Sequence, residues 1–135
     1  PVKVAPGGKA DCVIYYDNFD LVVETTLRPV SGTADHFNHL ESSSEKKQLG
    51  LNIIPDITKV DNQLWNLYNV YCDSEQKLFM LCDVDFIFKL LKDQSTAFSK
   101  FEKFLKESER IWKEESDWNV IREKIISLVR SENES

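Results

Sequence analysis

Apolar residues fall into two periods along this chain. From Lys9 to Arg28 the order is Lys-Ala-Asp-Cys-Val-Ile-Tyr-Tyr-Asp-Asn-Phe-Asp-Leu-Val-Val-Glu-Thr-Thr-Leu-Arg. These are two β-rich runs joined by a polar turn. Ser31 to Thr33 reads as a turn, Ala34 to Leu40 as a short helix, and Glu41 to Lys47 as a polar stretch open to disorder. Gly50 to Pro55 reads as a strand ended by its proline, and Lys77 to Cys82 as another. Helical spacing takes over elsewhere. Asp61 is placed to cap a helix carrying Leu64, Trp65, Leu67 and Tyr68, and Asp83 to cap Phe86 to Lys92, with Phe86, Ile87, Leu90 and Leu91 on its apolar face. Ser95 or Thr96 then caps a segment with Phe98, Phe101, Leu105 and Trp112 near helical period, and Trp118, Ile121, Ile125 and Leu128 follow the i, i+3, i+7 pattern. Such aromatic stripes are expected in a core. The two-helix tail is expected to cover the sheet or dock on a partner subunit.

Each β-run carries a carboxylate where a structural strand would prefer valine or isoleucine: Asp11 opens the first and Glu24 interrupts the second. With a two-residue Asp17-Asn18 loop, Tyr16 pairs with Phe19 and Asp11 falls opposite Glu24. A four-residue loop ending at Asp20 moves Asp11 opposite Thr26. Either register puts both acids on one sheet face, whereas an odd loop length separates them. Directly opposed side chains have Cβ atoms about 5 Å apart, and like charges there repel. A divalent cation between them reverses that sign. The second run divides by face, with Leu21, Val23, Thr25 and Leu27 on an apolar side and Val22, Glu24, Thr26 and Arg28 on a side that turns polar. The competing reading is an edge hairpin with charges on its solvent face as protection against aggregation.

The 135 residues suit one domain, with 1–92 as a sheet core and 93–135 as C-terminal helices, and 41% hydrophobic content supports an ordinary core. Neither a membrane-length apolar run nor a secretory signal pattern occurs. Cys12, Cys72 and Cys82 are odd in number and lack metal spacing, which fits buried free thiols in a reducing cytoplasm. The formal charge of −6 opposes autonomous DNA binding, because an acidic domain must gather its basic residues locally to contact phosphates. A cleavage domain delivered to DNA by another domain or subunit tolerates that charge. His36 and His39 lie three apart with no third metal-type ligand beside them. Pro6-Gly7-Gly8-Lys9 lacks the rest of a P-loop, and there is no interpretable Ser-His-Asp arrangement.

The segment Ala5-Pro6-Gly7-Gly8-Lys9-Ala10-Asp11, followed by Val22-Val23-Glu24-Thr25-Thr26-Leu27, resembles the nuclease core of type IIS restriction endonucleases. The match is to the AlwI-like group and its nicking relatives, within the PD-(D/E)XK superfamily. Their acidic residue begins one strand, and a Glu-x-Lys triplet lies on its antiparallel neighbour. The resemblance covers roughly residues 5 to 92, with His39, Leu49 to Lys59 and Lys77 to Lys92 as weaker continuations. It implies a restriction-endonuclease-like mixed β-sheet flanked by helices, with a helical C-terminal tail. It also implies Mg²⁺ (Mn²⁺ substituting) held by Asp11, Glu24 and the backbone carbonyl of Thr25, and hydrolysis of double-stranded DNA. Thr26 stands where the superfamily has lysine, as in the AlwI-like group itself. Threonine can orient a water but supplies no charge. Arg28 and His39 are the candidates for that cationic role, with His36, Lys46 and Lys47 able to approach from the next segment. Arginine stays protonated and suits phosphate clamping.

The sequence therefore points to the cleavage domain of a type IIS restriction or strand-nicking endonuclease. Recognition would lie in a separate domain or second subunit, and dimerisation would serve double-strand cleavage. A start at Pro1, close to the motif, fits a chain truncated at its N-terminus. Two alternatives remain open: a catalytically degenerate nuclease-fold assembly module, and a repair or recombination nuclease of the same superfamily.

Overall fold

Asp17 and Asn18 form the two-residue turn of a hairpin, closed by a Tyr16 N–H donating to the Phe19 carbonyl at 2.9 Å. In this computed structural model the described residues are 2–4, 11–26, 40, 46–74 and 76–131. The hairpin strands are β2 (Cys12–Tyr15) and β3 (Phe19–Thr25), and β1 (Val2–Val4) pairs antiparallel with β2. Strand β4 (Lys47–Ile54) lies parallel to β3, and β5 (Phe79–Asp83) parallel to β4, which gives a mixed five-stranded sheet in the order β1-β2-β3-β4-β5. Helices α1 (Asn62–Ser74), α2 (Val84–Lys92), α3 (Gln94–Glu114) and α4 (Trp118–Ser131) flank it. The mixed sheet flanked by helices, with a helical C-terminal part, is the expected architecture.

The central strand explains most of the packing. Leu21, Val22, Val23 and Glu24 are all buried, so both faces of β3 are covered. The expected division into a core face and a polar face does not hold at Val22 and Glu24. The edge-hairpin reading fails with it, since β3 has β2 on one side and β4 on the other. On the face shared by Val22, Glu24, Gly50, Asn52 and Phe79, α1 packs through Tyr68, whose ring meets Phe79 edge-on at 6.4 Å. Gly50 permits this, because a Cβ there would lie 2.4 Å from the Phe79 ring. On the other face, α2 and the first turns of α3 approach Ile14 and Tyr16.

Most helix starts follow the sequence signals. Asp61 accepts from Gln63 N–H at 2.9 Å, and Asp83 caps α2 through Phe86 N–H at 3.1 Å. The α3 cap is Asp93 rather than Ser95 or Thr96; Ser95 donates both its N–H and its hydroxyl to the Asp93 carboxylate. An ionised carboxylate is acceptor-only and takes both Ser95 donors on one oxygen. Strand β4 begins three residues before the expected Gly50, and β5 runs from Phe79 to Asp83 rather than from Lys77 to Cys82.

Within α3 the buried residues are Phe104, Leu105, Ser108, Ile111 and Trp112, and Trp112 stacks on Trp65 of α1 at 5.8 Å. Phe98, expected in this core, is 81% exposed at the rim of the groove between β2, α2 and α3. In α4, Ile121, Ile125 and Val129 are buried, so a strict i, i+4 stripe replaces Leu128 by Val129. All three cysteines are free thiols, with Cys82 buried and Cys12 and Cys72 only half-buried, a correction to the expectation for the latter two. The expected short helix at 34–40 falls almost entirely outside the described residues. Among the described residues no helix is long and apolar enough to cross a membrane.

Candidate functional site

The β2–β3 ladder pairs Cys12 with Val23, Val13 with Val22, Ile14 with Leu21 and Tyr15 with Asp20. This is the register of the two-residue loop, and one further step sets Asp11 beside Glu24. Asp11 is exposed just before β2, while Glu24 is 3% exposed on the central strand. The Asp11 Oδ2 atom accepts the Thr25 N–H at 2.8 Å and the Thr25 hydroxyl at 3.0 Å. Thr25 faces away from Glu24, so the bond from its hydroxyl draws this Asp11 oxygen toward the Thr25 side of the strand, away from Glu24. In extended backbone the N–H and C=O of one residue point to the same side of the strand. The Thr25 carbonyl is therefore directed toward β2, where Asp11 lies.

The Cys12 thiol reports the local field. Burial pushes its pKa up first, and the negative charges of Asp11 and Glu24 push it further the same way. Both carboxylates therefore act on one point at this end of the hairpin.

Across the sheet, β4 presents Asn52 in register with Glu24. Thr26 donates its hydroxyl to Asn52 Oδ1 at 2.9 Å, and Asn52 Nδ2 donates to the Tyr68 hydroxyl at 3.1 Å. The Thr26 N–H extends the parallel ladder by bonding to the Ile53 carbonyl at 3.0 Å. Asn52 and Tyr68 are fully buried, at 0% and 1% exposure. Neither was anticipated from the sequence. The available signal was an amide inside the otherwise apolar run Leu49 to Ile54.

Several expected neighbours are elsewhere. Lys47 pairs in register with Phe19, five residues from Glu24 along β3, a separation of about 17 Å at the rise of an extended strand. Lys46 forms an ion pair with Asp20 at 2.8 Å and Lys47 with Glu109 at 2.5 Å. Neither lysine reaches the acidic pair, because the parallel β3–β4 pairing starts both strands at the far end. Arg28, His36 and His39 lie outside the described residues.

A second buried acid belongs to the framework. Asp83, at 0% exposure, accepts from Phe86 N–H and Ile57 N–H, each at 3.1 Å, and pairs with Arg130 of α4 at 2.9 Å. The hydrogen bond to Asp83 raises the Arg130 pKa, so this guanidinium stays charged.

Among the described residues no group of three or more His, Cys, Asp or Glu side chains is placed to hold a metal ion. Asp11, Glu24 and the Thr25 carbonyl lie at the same end of the hairpin. No protein-family model matches the chain, and no curated protein matches it.

Proposed function

We propose that this chain is a Mg²⁺-dependent DNA endonuclease, the cleavage domain of a type IIS restriction or strand-nicking enzyme of the PD-(D/E)XK superfamily. One observation carries the reading: the hairpin register brings Asp11 beside Glu24, with Glu24 buried on the central strand. Glu24 is an acid at a buried strand position where an apolar side chain would stabilise the sheet more. The order of the elements agrees, since an acid precedes one strand and Glu24 and Thr26 lie on its antiparallel neighbour.

The donor chemistry fits the ion. Mg²⁺ takes one or two carboxylates together with waters and phosphate oxygens, and the Asp11, Glu24 and Thr25 carbonyl oxygens are hard donors of that kind. Mn²⁺ suits the same oxygens. When bound, the ion supplies a lowered pKa for a bound water and charge neutralisation at the phosphate. Asp11 would contribute the oxygen that Thr25 does not occupy, and the Thr25 bonds hold that carboxylate in place. Thr26 offers hydroxyl lone pairs to a water beside Glu24. Arg28 and His39 remain the proposed sources of positive charge toward the phosphate. The substrate is double-stranded DNA, presented by a separate recognition domain or second subunit, since the chain carries a formal charge of −6. One such site cuts one strand, and a pair of copies would cut both.

The test is nicking of supercoiled plasmid by excess protein at low ionic strength with Mg²⁺ or Mn²⁺. Nicking that disappears in Asp11→Ala and in Glu24→Ala, with folding intact, is the expected result. Equal nicking by both variants would remove the site assignment.

The alternative, a degenerate nuclease fold serving as an assembly module, has its own observation. An apolar groove of about 530 Å³ lies between β2, α2 and α3, lined by Ile14, Tyr16, Leu90, Leu91 and Phe98. Calorimetric titration with Mg²⁺ separates the two: Glu24-dependent heat favours the enzyme, and its absence favours the module.

A further inference from the structure

Resting on the nuclease reading, we propose that Asn52 is a positioning residue for the Thr26 hydroxyl, which orients the attacking water where the Glu-x-Lys pattern has lysine. The argument begins with the cost of Asn52. It sits at 0% exposure on a strand whose other buried side chains are Leu49, Leu51 and Ile54, and a buried amide is tolerated only when its hydrogen bonds are made. The amide is oriented from one end: its Nδ2 donates to the Tyr68 hydroxyl, which leaves Oδ1 as the acceptor for Thr26.

The consequence for Thr26 is chemical. A hydroxyl has one proton and two lone pairs, and the proton is committed to Asn52. Toward the acidic pair the Thr26 oxygen therefore acts only as an acceptor. A water bound there must point an O–H at Thr26, and its own lone pair is then turned away from Thr26 toward an electrophile. The backbone bond from Thr26 to Ile53 fixes the residue from the strand side. Tyr68 anchors the far end of the chain through its contacts with Phe79 and with Trp112, whose ring centroid lies 6.3 Å away.

The experiment compares Thr26→Val, Asn52→Leu, their double variant and Thr26→Ser by single-turnover nicking, DNA affinity, Mn²⁺ affinity and circular dichroism. Thr26→Val and Asn52→Leu should each lower the cleavage rate by roughly ten- to a hundredfold, the scale of a misplaced reacting group. Mn²⁺ and DNA affinities should stay unchanged, and the double variant should be no slower than the slower single. Thr26→Ser should recover the rate lost in Thr26→Val. If Asn52→Leu fails to fold, Tyr68→Phe breaks the same chain at its other end and should slow cleavage at unchanged Mn²⁺ affinity. Wild-type rates in Asn52→Leu or Tyr68→Phe, or multiplicative losses in the double variant, would overturn the assignment while the nuclease reading stands. Metal binding without any nicking by the unaltered protein would instead overturn the nuclease reading, and a task for Asn52 in catalysis with it.

Discussion

Strands β3 and β5 each bury an acid at the C-terminal end of the parallel part of the sheet, and the two acids have different neighbours. At the end of β5, Asp83 receives two backbone N–H groups and the Arg130 guanidinium, so its charge is compensated within the chain. At the end of β3, Glu24 has a second carboxylate, Asp11, beside it one step past the Cys12–Val23 pair, and an amide, Asn52, in register on the next strand. The first arrangement ties α2, α4 and the loop after β4 together. The second sets two carboxylates beside each other, and the proposed Mg²⁺ would offset their charge. A buried carboxylate is thus read by the sign of its neighbours rather than by its burial.

The comparison breaks most sharply at Asp83. Replacing it with alanine leaves Arg130 without its buried partner and two N–H groups without an acceptor, and should destabilise the fold by about 3–5 kcal/mol. Urea unfolding measures this, and a loss below about 1 kcal/mol would deny the framework role. Gly50→Ala comes next. Its methyl group would overlap the Phe79 ring, and overpacking of that kind costs about 1–3 kcal/mol. An unchanged melting temperature would show that Phe79 can withdraw at no cost.

Asp11→Asn sharpens the contrast from the other side. The amide keeps an oxygen for Thr25 and removes the repulsion with Glu24, so stability should change by no more than about 1 kcal/mol while divalent-ion binding is lost. A large loss of stability would place Asp11 in the framework with Asp83.

The smallest effect concerns acid. Burial pushes the Glu109 pKa up, but hydrogen bonds from Lys113 and Lys47 outweigh it and hold the carboxyl below its ordinary range. Such a group contributes stability above its unfolded pKa, about 4.3, and loses it as pH falls through the lower folded value. Glu109→Gln should flatten the stability profile below about pH 4.3, and a profile parallel to that of the unaltered protein would contradict the assignment.

Local chemistry was legible in the sequence. Asp17-Asn18 between two apolar runs left a two-residue or a four-residue loop open, either of which puts Asp11 and Glu24 on one face, and the structure has the two-residue one. Asp61 and Asp83 were readable as caps for the same reason: the acceptor and its N–H lie within three residues. Contacts between distant residues were not. Arg130 and Asp83 are 47 positions apart and Asn52 and Tyr68 are 16 apart, and no local pattern encodes either meeting. Phe98 shows a different limit: its helical spacing matched Phe101 and Leu105, yet spacing alone does not say how far along α3 the packing reaches, and Phe98 is exposed.

The most direct measurement is a titration with Mn²⁺ followed by electron paramagnetic resonance on the unaltered protein, Asp11→Ala and Glu24→Ala. One bound ion in the unaltered protein, lost in each variant, is expected from two acids sharing a site across the hairpin. No bound ion, or binding that survives both substitutions, would contradict it.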